Sequence, residues 1–192
     1  MSHPIHTVGH STLEPEAFVA LLRGAGVTAL ADVRSSPYSR RLPHFGREAI
    51  RPLLEAAGVR YVYLGGHLGG RPGTVDLYAP EGHADYEAMR ESPPFREGIE
   101  RVLKGSERYV VALMCGEEEP LTCHRGLMIT PALKALGVPP LHIRKAGRIE
   151  TTAEFEARVL EEAGFGPMFG ECLEEAYRVL NRKLAFRLGE DR

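Results

Sequence analysis

The chain has 192 residues, of which 43% are hydrophobic and 26% charged, values that fit one globular domain with a well-buried core and argue against extended disorder. Its formal net charge of −2 argues against bulk electrostatic attraction to nucleic acid or anionic lipid, and no apolar run approaches the roughly 18 residues that a membrane span needs. Met1 to Pro4 lack the layout of a signal peptide, and three irregularly spaced cysteines do not suggest a disulfide framework, so we expect a single domain over residues 1–192 in a reducing cytoplasm.

The first half of the chain alternates between apolar segments typical of strands and segments with helical periodicity. Thr12 can cap the first helix, and a glycine follows each helix as an end signal. The glycine-rich stretch from Gly65 to Pro80 is predicted as a long loop, a flap over the site. The predicted strands are Ile5–Val8, Ala29–Arg34 and Val59–Leu64, and the predicted helices are Leu13–Gly24 and Arg47–Ala57.

The second half of the chain predicts two further strands and a terminal helix. Tyr109–Met114 forms an apolar run typical of a parallel strand buried on both faces, and Leu141–Ile143 is predicted as the fifth strand. Ala146-Gly147 is predicted as a hairpin turn before Arg148-Ile149-Glu150. Amphipathic spacing predicts a helix from Glu171 to Leu188, which either packs on the domain or forms a homodimer contact.

Strand followed by helix, repeated, predicts an α/β three-layer sandwich with a mostly parallel central sheet of about five strands. The core of this single domain is expected over residues 1–165, with a C-terminal helical extension over 166–192. In such sheets ligands bind beyond the carboxyl ends of the strands. Because four predicted strands end at polar or reactive residues, the sequence predicts a functional cleft there. These residues are His10-Ser11, Asp32 with Arg34, Gly65 to His67, and Cys115.

Several motifs occur in a specific order along roughly the first three quarters of the chain. They are Thr7-Val8-Gly9-His10-Ser11, Asp32-Val33-Arg34-Ser35 with Pro37, Ser39-Arg40 and Pro43-His44-Phe45, Gly58-Val59-Arg60-Tyr61 with Leu64, Leu68-Gly69-Gly70-Arg71, and Leu113 to Arg125. In these motifs the chain resembles the domain of unknown function 488 family. The resemblance implies a fold and a set of site positions, but it brings no settled reaction.

Two positions depart from the pattern of that family. Gly116 replaces the usual Ala, a mild change. Pro131 interrupts the helix expected after Arg125, and a proline inside a helix costs about 3 kcal/mol. Thr130 as cap with Pro131 at the first helical position predicts that the helix restarts there.

The segment from Cys115 to Arg125 is the richest in side chains that can carry chemistry. Cys123-His124-Arg125 is predicted at or before a helix start, where free N–H groups and the helix dipole favour an anion. Arg125 can clamp phosphate or carboxylate through two hydrogen bonds. Alternatively, it pairs with Glu117 or Asp32 and ties loops together.

The cysteines allow two kinds of chemistry. A neighbouring cation can lower the pKa of Cys123 and make it a nucleophile, whereas the alternative is that both cysteines are small buried apolar residues. Cys115, Cys123, His124, His10 and Asp32 are also ligand types for zinc, but the close Cys-x2-Cys pair that zinc sites prefer is absent. We therefore assign no metal ligand and leave the cofactor open, with a divalent metal as one option.

A second polar cluster follows the second strand. Asp32 and Arg34 lean to the same side of that strand, where they form either an ordering salt bridge or a carboxylate acid/base with its cation. His10 can transfer protons near neutral pH or hydrogen-bond a neighbouring loop. The loop over residues 34–51 carries five arginines with interleaved aromatic side chains, which is typical of surfaces that contact phosphates and stack bases, with a solvated loop as the alternative.

These observations favour an enzyme, a hydrolase or transferase, that acts on a phosphate-bearing substrate such as a nucleotide or nucleic acid. One alternative is a non-enzymatic nucleic-acid or partner-binding module that uses the loop 34–51, and another is a cysteine-thiol enzyme. The expected partner is a small anionic ligand or nucleic acid, without a membrane. The predicted catalytic residues are His10, Asp32, Cys123 and His124, and the predicted anion-binding residues are Ser11, Arg34, Ser39, Arg40, Arg71, Cys115, Glu117 and Arg125.

Overall fold

The computed structural model describes residues 2–166 and 172–189, which contain one six-stranded sheet. The strands are β1 (Ile5–Gly9), β2 (Ala29–Asp32), β3 (Arg60–Tyr63), β4 (Val111–Cys115), β5 (Leu141–Ile143) and β6 (Ile149–Glu150). They lie in the order β3-β2-β4-β1-β5-β6, and all neighbours pair in parallel except β5 and β6. The predicted α/β class and mostly parallel sheet are confirmed, with one strand more than the five expected.

Burial along the strands follows their position in the sheet. Every residue of the central strand β4 is buried, whereas the edge strand β3 alternates between exposed and half-buried residues. A central strand is covered on both faces, so both sets of its alternating side chains are apolar. Gly9 lies opposite Cys115 in the β1–β4 pair, which brings the carboxyl ends of these two strands to the same edge.

Helices cover both faces of the sheet and complete the three layers. On one face α1 (Pro15–Gly24) and α2 (Arg47–Ala56) bury Phe18, Leu54 and other apolar side chains against Met114 of the sheet. The remaining helices are α3 (Gly65–Leu68), α4 (Tyr86–Glu91), α5 (Pro93–Ser106), α6 (Thr130–Ala135), α7 (Thr152–Glu162) and α8 (Leu173–Leu184). Of these, α4 to α8 share the core of the opposite face, and no described helix is long and apolar enough to cross a membrane.

No structure is predicted above for the segments that form α4, α5 and α7, although two of them carry start signals. The Ser92 hydroxyl accepts the N–H of Phe95 (3.4 Å) at the start of α5, with Pro93 next to the cap. Thr151 and Glu154 form a reciprocal capping box at the start of α7. Ser-Pro-Pro and Thr-x-x-Glu are sequence patterns typical of helix starts, so the starts of these two helices could have been predicted from the sequence.

The predicted hairpin between β5 and β6 is present. Ala146 and Gly147 have φ of 65° and 82°, and the N–H of Arg144 donates to the carbonyl of Arg148 (2.8 Å). Two consecutive positive φ angles match the twist of a tight hairpin turn. The glycine-rich stretch, by contrast, is not a loop throughout, because it contains α3 and a 3-10 turn at Val75–Leu77.

The helix after the cysteine segment does not restart with Thr130 as its cap. A π-turn over Arg125–Ile129 runs directly into α6, whose cap position is Ile129. The Thr130 hydroxyl donates to the carbonyl of Arg125 (2.9 Å) from inside the helix. Pro131 lies in the first turn of α6, where a missing N–H costs little.

The terminal helix packs on the domain. Its described part, α8, buries Ala176, Tyr177 and Leu180 in the core that it shares with α7. The predicted start at Glu171 lies outside the described residues, as do residues 167–170 and 190–192 of the predicted extension. The helix ends at Leu184, four residues before the predicted end, and the chain then turns so that Phe186 accepts the N–H of Ala84 (2.8 Å).

Candidate functional site

A polar cavity of about 650 Å³ lies beyond the carboxyl ends of β1, β2 and β4, where a ligand site is expected in a parallel sheet. Its wall also includes the loop after β2, part of the glycine-rich stretch and the chain beyond α8. Of the predicted site residues, Asp32, Arg40 and Arg125 do not reach the wall. The predicted site residues on the wall are His10, Ser11, Arg34, Ser39, Arg71, Cys115, Glu117, Cys123 and His124.

A second cavity, of about 700 Å³, is built mainly by helices α4 to α8. Its wall combines apolar side chains with charged ones, several of which already form ion pairs, such as Lys134 with Glu156 (2.6 Å). No cysteine or histidine of the described residues lines it. The groups that can carry chemistry therefore concentrate at the strand-end cavity.

Asp32 ends β2 fully buried, and Arg34 binds both of its carboxylate oxygens. The Arg34 Nε donates to Oδ1 (2.9 Å) and Nη2 donates to Oδ2 (2.6 Å), while the Arg34 backbone N–H also donates to Oδ1 (3.1 Å). The hydroxyl of Tyr61 on β3 donates to Oδ2 (2.7 Å), and burial together with this carboxylate raises the pKa of Tyr61. The buried carboxylate is thus fully paired, which is the ordering salt bridge weighed above.

His10 continues this hydrogen-bonded chain into the cavity. Its Nδ1 donates to the carbonyl of Ser11 (2.9 Å), which leaves Nε2 to accept from Nη1 of Arg34 (3.2 Å). Its ring stacks on Phe45 with 4.1 Å between centroids. Burial, and then the nearby positive charge of Arg34, lowers the pKa of His10 to about 4, so the imidazole is neutral at physiological pH.

Cys115, Cys123 and His124 meet at the cavity wall, and all three are buried. Nδ1 of His124 lies 3.7 Å from Sγ of Cys115 and 3.8 Å from Sγ of Cys123. Nε2 of His124 donates to the carbonyl of Val33 (3.0 Å), and the Cys115 thiol donates to the Glu117 carboxylate (2.8 Å). Their sulfur and nitrogen atoms lie within 4.8 Å of one another, and these are ligand types for a soft metal ion.

The three side chains share protons unequally. Contact with Cys123 and burial raise the pKa of Cys115 well above its usual value. Burial also acts to raise the pKa of Cys123, but contacts with Cys115, Arg125 and His124 outweigh it and hold that pKa well below its usual value. Burial acts to lower the pKa of His124, yet the Cys123 sulfur raises it overall.

Arg125 holds the loop after β4 from inside the protein. Its Nη1 and Nη2 donate to the carbonyls of Glu117 and Glu118, and its side chain is almost fully buried. The partners are backbone oxygens, not the carboxylates considered above. The guanidinium therefore holds the backbone that places Glu117 next to Cys115, and Arg125 itself does not line the cavity.

Gly70 is required for the approach of the glycine-rich stretch to the cluster. A Cβ added at Gly70 would lie 2.7 Å from Cβ of His124, closer than real Cβ contacts allow. At Gly116, a Cβ would meet Nε2 of His10 at an ordinary 3.8 Å. The first glycine lets the chain pack against His124, whereas the second position has room for a small side chain.

The arginine-rich loop is only partly a free cationic surface. Arg47 lies over a tyrosine ring, 5.5 Å from its centroid, and Arg51 pairs with Glu55 at 2.8 Å. Arg40 and Arg41 are exposed, and within the described ranges neither has a carboxylate at salt-bridge distance, but only Arg41 lines the cavity. Nucleic-acid binding through this loop stays a prediction.

Several members of the site were not predicted from sequence, among them Ser35 and Arg41 on the cavity wall and three aromatic side chains. Tyr61 was noted only as part of a motif, because its position opposite Leu30 on β2, from which its hydroxyl reaches Asp32, could not be known before the strands were paired. Phe45 supports His10, and Phe186 stacks under Arg71, with the guanidinium carbon 4.6 Å from the ring centroid. Phe186 lies more than one hundred residues after Arg71 in the sequence, so no local pattern indicates this contact.

The comparisons agree with the motif-based resemblance. The family model described as "Domain of unknown function DUF488" matches residues 14–130, more than half of the chain, and includes every predicted site residue except His10 and Ser11. No curated protein and no solved structure shows significant similarity to the chain. With a match of this extent, the chain belongs to the DUF488 family.

Proposed function

We propose that this protein is an enzyme that acts on a phosphate-bearing substrate bound in the strand-end cavity. The observation that carries the proposal is the presence, in one cavity, of the Cys115–Cys123–His124 cluster and a rim of hydroxyl and guanidinium groups. A concave site in which a few polar groups converge on reactive side chains is the usual form of a catalytic site.

The rim offers donors that suit a phosphate group. Arg41 and Arg71 are exposed on the wall, and neither has a carboxylate at salt-bridge distance in the part of the chain that the structure describes. The Ser35 hydroxyl accepts the N–H of Arg71 (3.0 Å), and the Ser39 hydroxyl accepts that of Leu42 (3.0 Å). Each serine therefore keeps its own proton to donate, and guanidinium and hydroxyl donors match phosphate oxygens.

The two buried arginines are less suited to that task. Arg34 directs its N–H groups to Asp32, to His10 and to the carbonyl of Phe45. Arg125 directs its two Nη groups to loop carbonyls. We therefore assign anion binding to the rim, and we assign to these two arginines the positioning of the groups below it.

A phosphate titration tests the binding half of this proposal. Binding of inorganic phosphate is followed by phosphorus NMR. Arg41→Ala and Arg71→Ala should each weaken this binding about tenfold, since a charge-assisted hydrogen bond contributes roughly 1.5–3 kcal/mol. Arg23→Ala, at an exposed position of α1 outside the cavity, is the matched control and should bind as the wild type does. Equal affinity in all four proteins would remove the proposed anion site.

A turnover assay tests the catalytic half. We expect hydrolysis or transfer with at least one member of a panel of phosphomonoesters, phosphodiesters and nucleotides, lost by about a hundredfold or more in His124→Ala and Cys123→Ser. Cys172→Ser, at the half-buried third cysteine, should retain the wild-type rate. Full turnover in the His124 and Cys123 variants would contradict the assignment of this cluster as the reactive centre.

The other hypotheses give different results in the same experiments. Salt-sensitive binding of an oligonucleotide, weakened by Arg40→Ala and without any turnover, would replace the enzyme with a binding module that uses the loop 34–51. Rapid alkylation of Cys123 at neutral pH, with activity lost in proportion, would identify a cysteine-thiol enzyme.

A further inference from the structure

We propose that Cys115, Cys123 and His124 form a binding site for one zinc ion with an open coordination position that faces the cavity. Binding of the ion rests on the geometry of these three side chains alone. Its use as the reactive centre rests on the function proposed above.

The distances between the three side chains match those within a tetrahedral zinc site. Zinc lies about 2.3 Å from a cysteine sulfur and about 2.0–2.1 Å from a histidine nitrogen, so its sulfur and nitrogen ligands stand roughly 3.5 Å apart. Nδ1 of His124 lies 3.7 Å from one cysteine sulfur and 3.8 Å from the other. All three donor atoms lie within 4.8 Å of one another, so small side-chain adjustments suffice to close the site around an ion.

The second nitrogen of His124 is already held as it is in metal sites. Nε2 donates to the carbonyl of Val33 at 3.0 Å, which fixes the tautomer with a lone pair on Nδ1, directed at the sulfur atoms. Such a hydrogen bond from the distal nitrogen is a regular feature of metal-binding histidines. Close packing of Gly70 against Cβ of His124 further restricts the ring.

Charge balance also favours the ion. Two thiolates and a neutral imidazole carry a charge of −2, which a divalent ion neutralises, and the protons that these three side chains hold are released to solvent on binding. Cys115, Cys123 and His124 are only 4%, 3% and 8% exposed, and a neutral cluster is far less costly to bury than separate charges. Thiolate ligands select zinc over magnesium or calcium, which prefer oxygen.

The site has the form of a catalytic zinc site. It provides three protein ligands, all on the wall of the open cavity, whereas structural zinc sites are closed by four. The Glu117 carboxylate accepts a hydrogen bond from the Cys115 thiol (2.8 Å). That bond is lost when the thiol ionises to bind zinc, which leaves the carboxylate able to exchange a proton with a group bound beside the cluster. Zinc would supply a Lewis acid for a phosphate oxygen and lower the pKa of a bound water.

Metal analysis after equilibration with zinc chloride and gel filtration tests the site directly. The wild type should retain one zinc per chain, and Cys115→Ser, Cys123→Ser and His124→Ala should each lose it, while the matched control Cys172→Ser keeps it. Replacement of zinc by cobalt should produce the sulfur-to-metal charge-transfer band of thiolate ligands. Glu117→Gln should also retain zinc, because Glu117 is not a ligand. Loss of zinc in that variant would identify Glu117 as a fourth ligand and would overturn the proposal of an open coordination position.

Thiol protection extends the test to the unmodified chain, in case a variant fails to fold. Zinc should protect Cys115 and Cys123 from iodoacetamide until a chelator is added, whereas Cys172 should react equally with and without zinc. Rapid labelling of Cys123 in zinc-treated protein, together with substoichiometric zinc, would overturn the proposal. Zinc binding without phosphate binding or turnover would support the metal site and remove the proposed function. Phosphate binding and turnover without zinc binding would support the proposed function and remove the metal site.

Discussion

His142 is a side chain whose ionisation is set by its surroundings. It is fully buried in β5, with Nδ1 2.8 Å from the hydroxyl oxygen of Thr7 and its ring 4.6 Å from that of Phe155. Burial first, and nearby positive charge second, lower its pKa to about 3. The charged groups that act on it are Arg125, Arg144 and Arg158, with Glu119 opposing them.

This histidine makes the fold sensitive to acid. Its folded pKa of about 3 lies below the unfolded value of 6.5, so its contribution to stability is complete above pH 6.5 and falls as the pH drops toward 3. We expect His142→Asn to reduce the loss of unfolding free energy between pH 7 and pH 5 by about 2 kcal/mol, measured by urea unfolding. His3→Asn, at an exposed position, should change nothing, and equal pH dependence of the wild type and His142→Asn would contradict the argument.

At the scale of elements, an ion-pair network joins the loop after β4, the β5–β6 hairpin and α7. Arg144 binds Glu118 at 3.1 Å and Glu119 at 2.7 Å on that loop, while Arg158 of α7 binds Glu119 at 2.9 Å. Both arginines meet Glu150 of β6, at 2.6 Å and 2.7 Å, and its side chain is only 1% exposed. The network therefore fixes the loop that carries the cavity-facing Glu117.

Removal of the shared carboxylate tests that network. Glu150→Gln leaves two arginines without their buried partner, and we expect a loss of about 2–3 kcal/mol in unfolding free energy, below the largest values for buried pairs because the arginines are partly exposed. Glu55→Gln breaks the solvent-exposed pair with Arg51 and should change the unfolding free energy far less, because water screens the two charges. Similar losses in the two variants would show that burial does not distinguish these pairs.

At the scale of the whole molecule, the C-terminal segment completes the cavity. Asn181 of α8 accepts the N–H of Tyr86 (3.1 Å) and donates to the carbonyl of Ala84 (2.9 Å), which ties the helix to the segment before α4. Leu184, the last residue of the helix, and Phe186 beyond it line the cavity. Docking of α8 and the shape of the cavity are therefore linked.

Loosening α8 should consequently affect both stability and the site. Asn181→Ala removes two buried hydrogen bonds, and we expect a loss of about 2–3 kcal/mol, with faster amide exchange in α8 and weaker phosphate binding. Lys183→Ala breaks an exposed pair with Glu162 and serves as the control. Weaker phosphate binding with unchanged exchange in α8 would contradict the link between docking and cavity shape.

The sequence by itself determined the order of the strands and the edge of the sheet at which reactive residues gather. Local patterns can be recognised in a sequence before the fold is known. Examples are the continuous apolar run of β4, the helical periodicity of α1 and α2, and the Ala146-Gly147 turn. Since parallel strands present their carboxyl ends at one edge, the meeting of His10, Asp32 and Cys115 there followed from topology.

Only the tertiary structure decided what these residues contact. Arg125 was expected to bind an anion, yet its two Nη groups donate to loop carbonyls. The irregular Cys115–Cys123 spacing argued against a shared zinc site, yet the folded loop brings the two sulfur atoms within 4.8 Å of each other. The direction of a side chain in a loop depends on the whole path of that loop, here closed by Arg125 and by the ion-pair network. Strand and helix periodicity carries no information about such a path, so the distances that make a site could be read only from the folded chain.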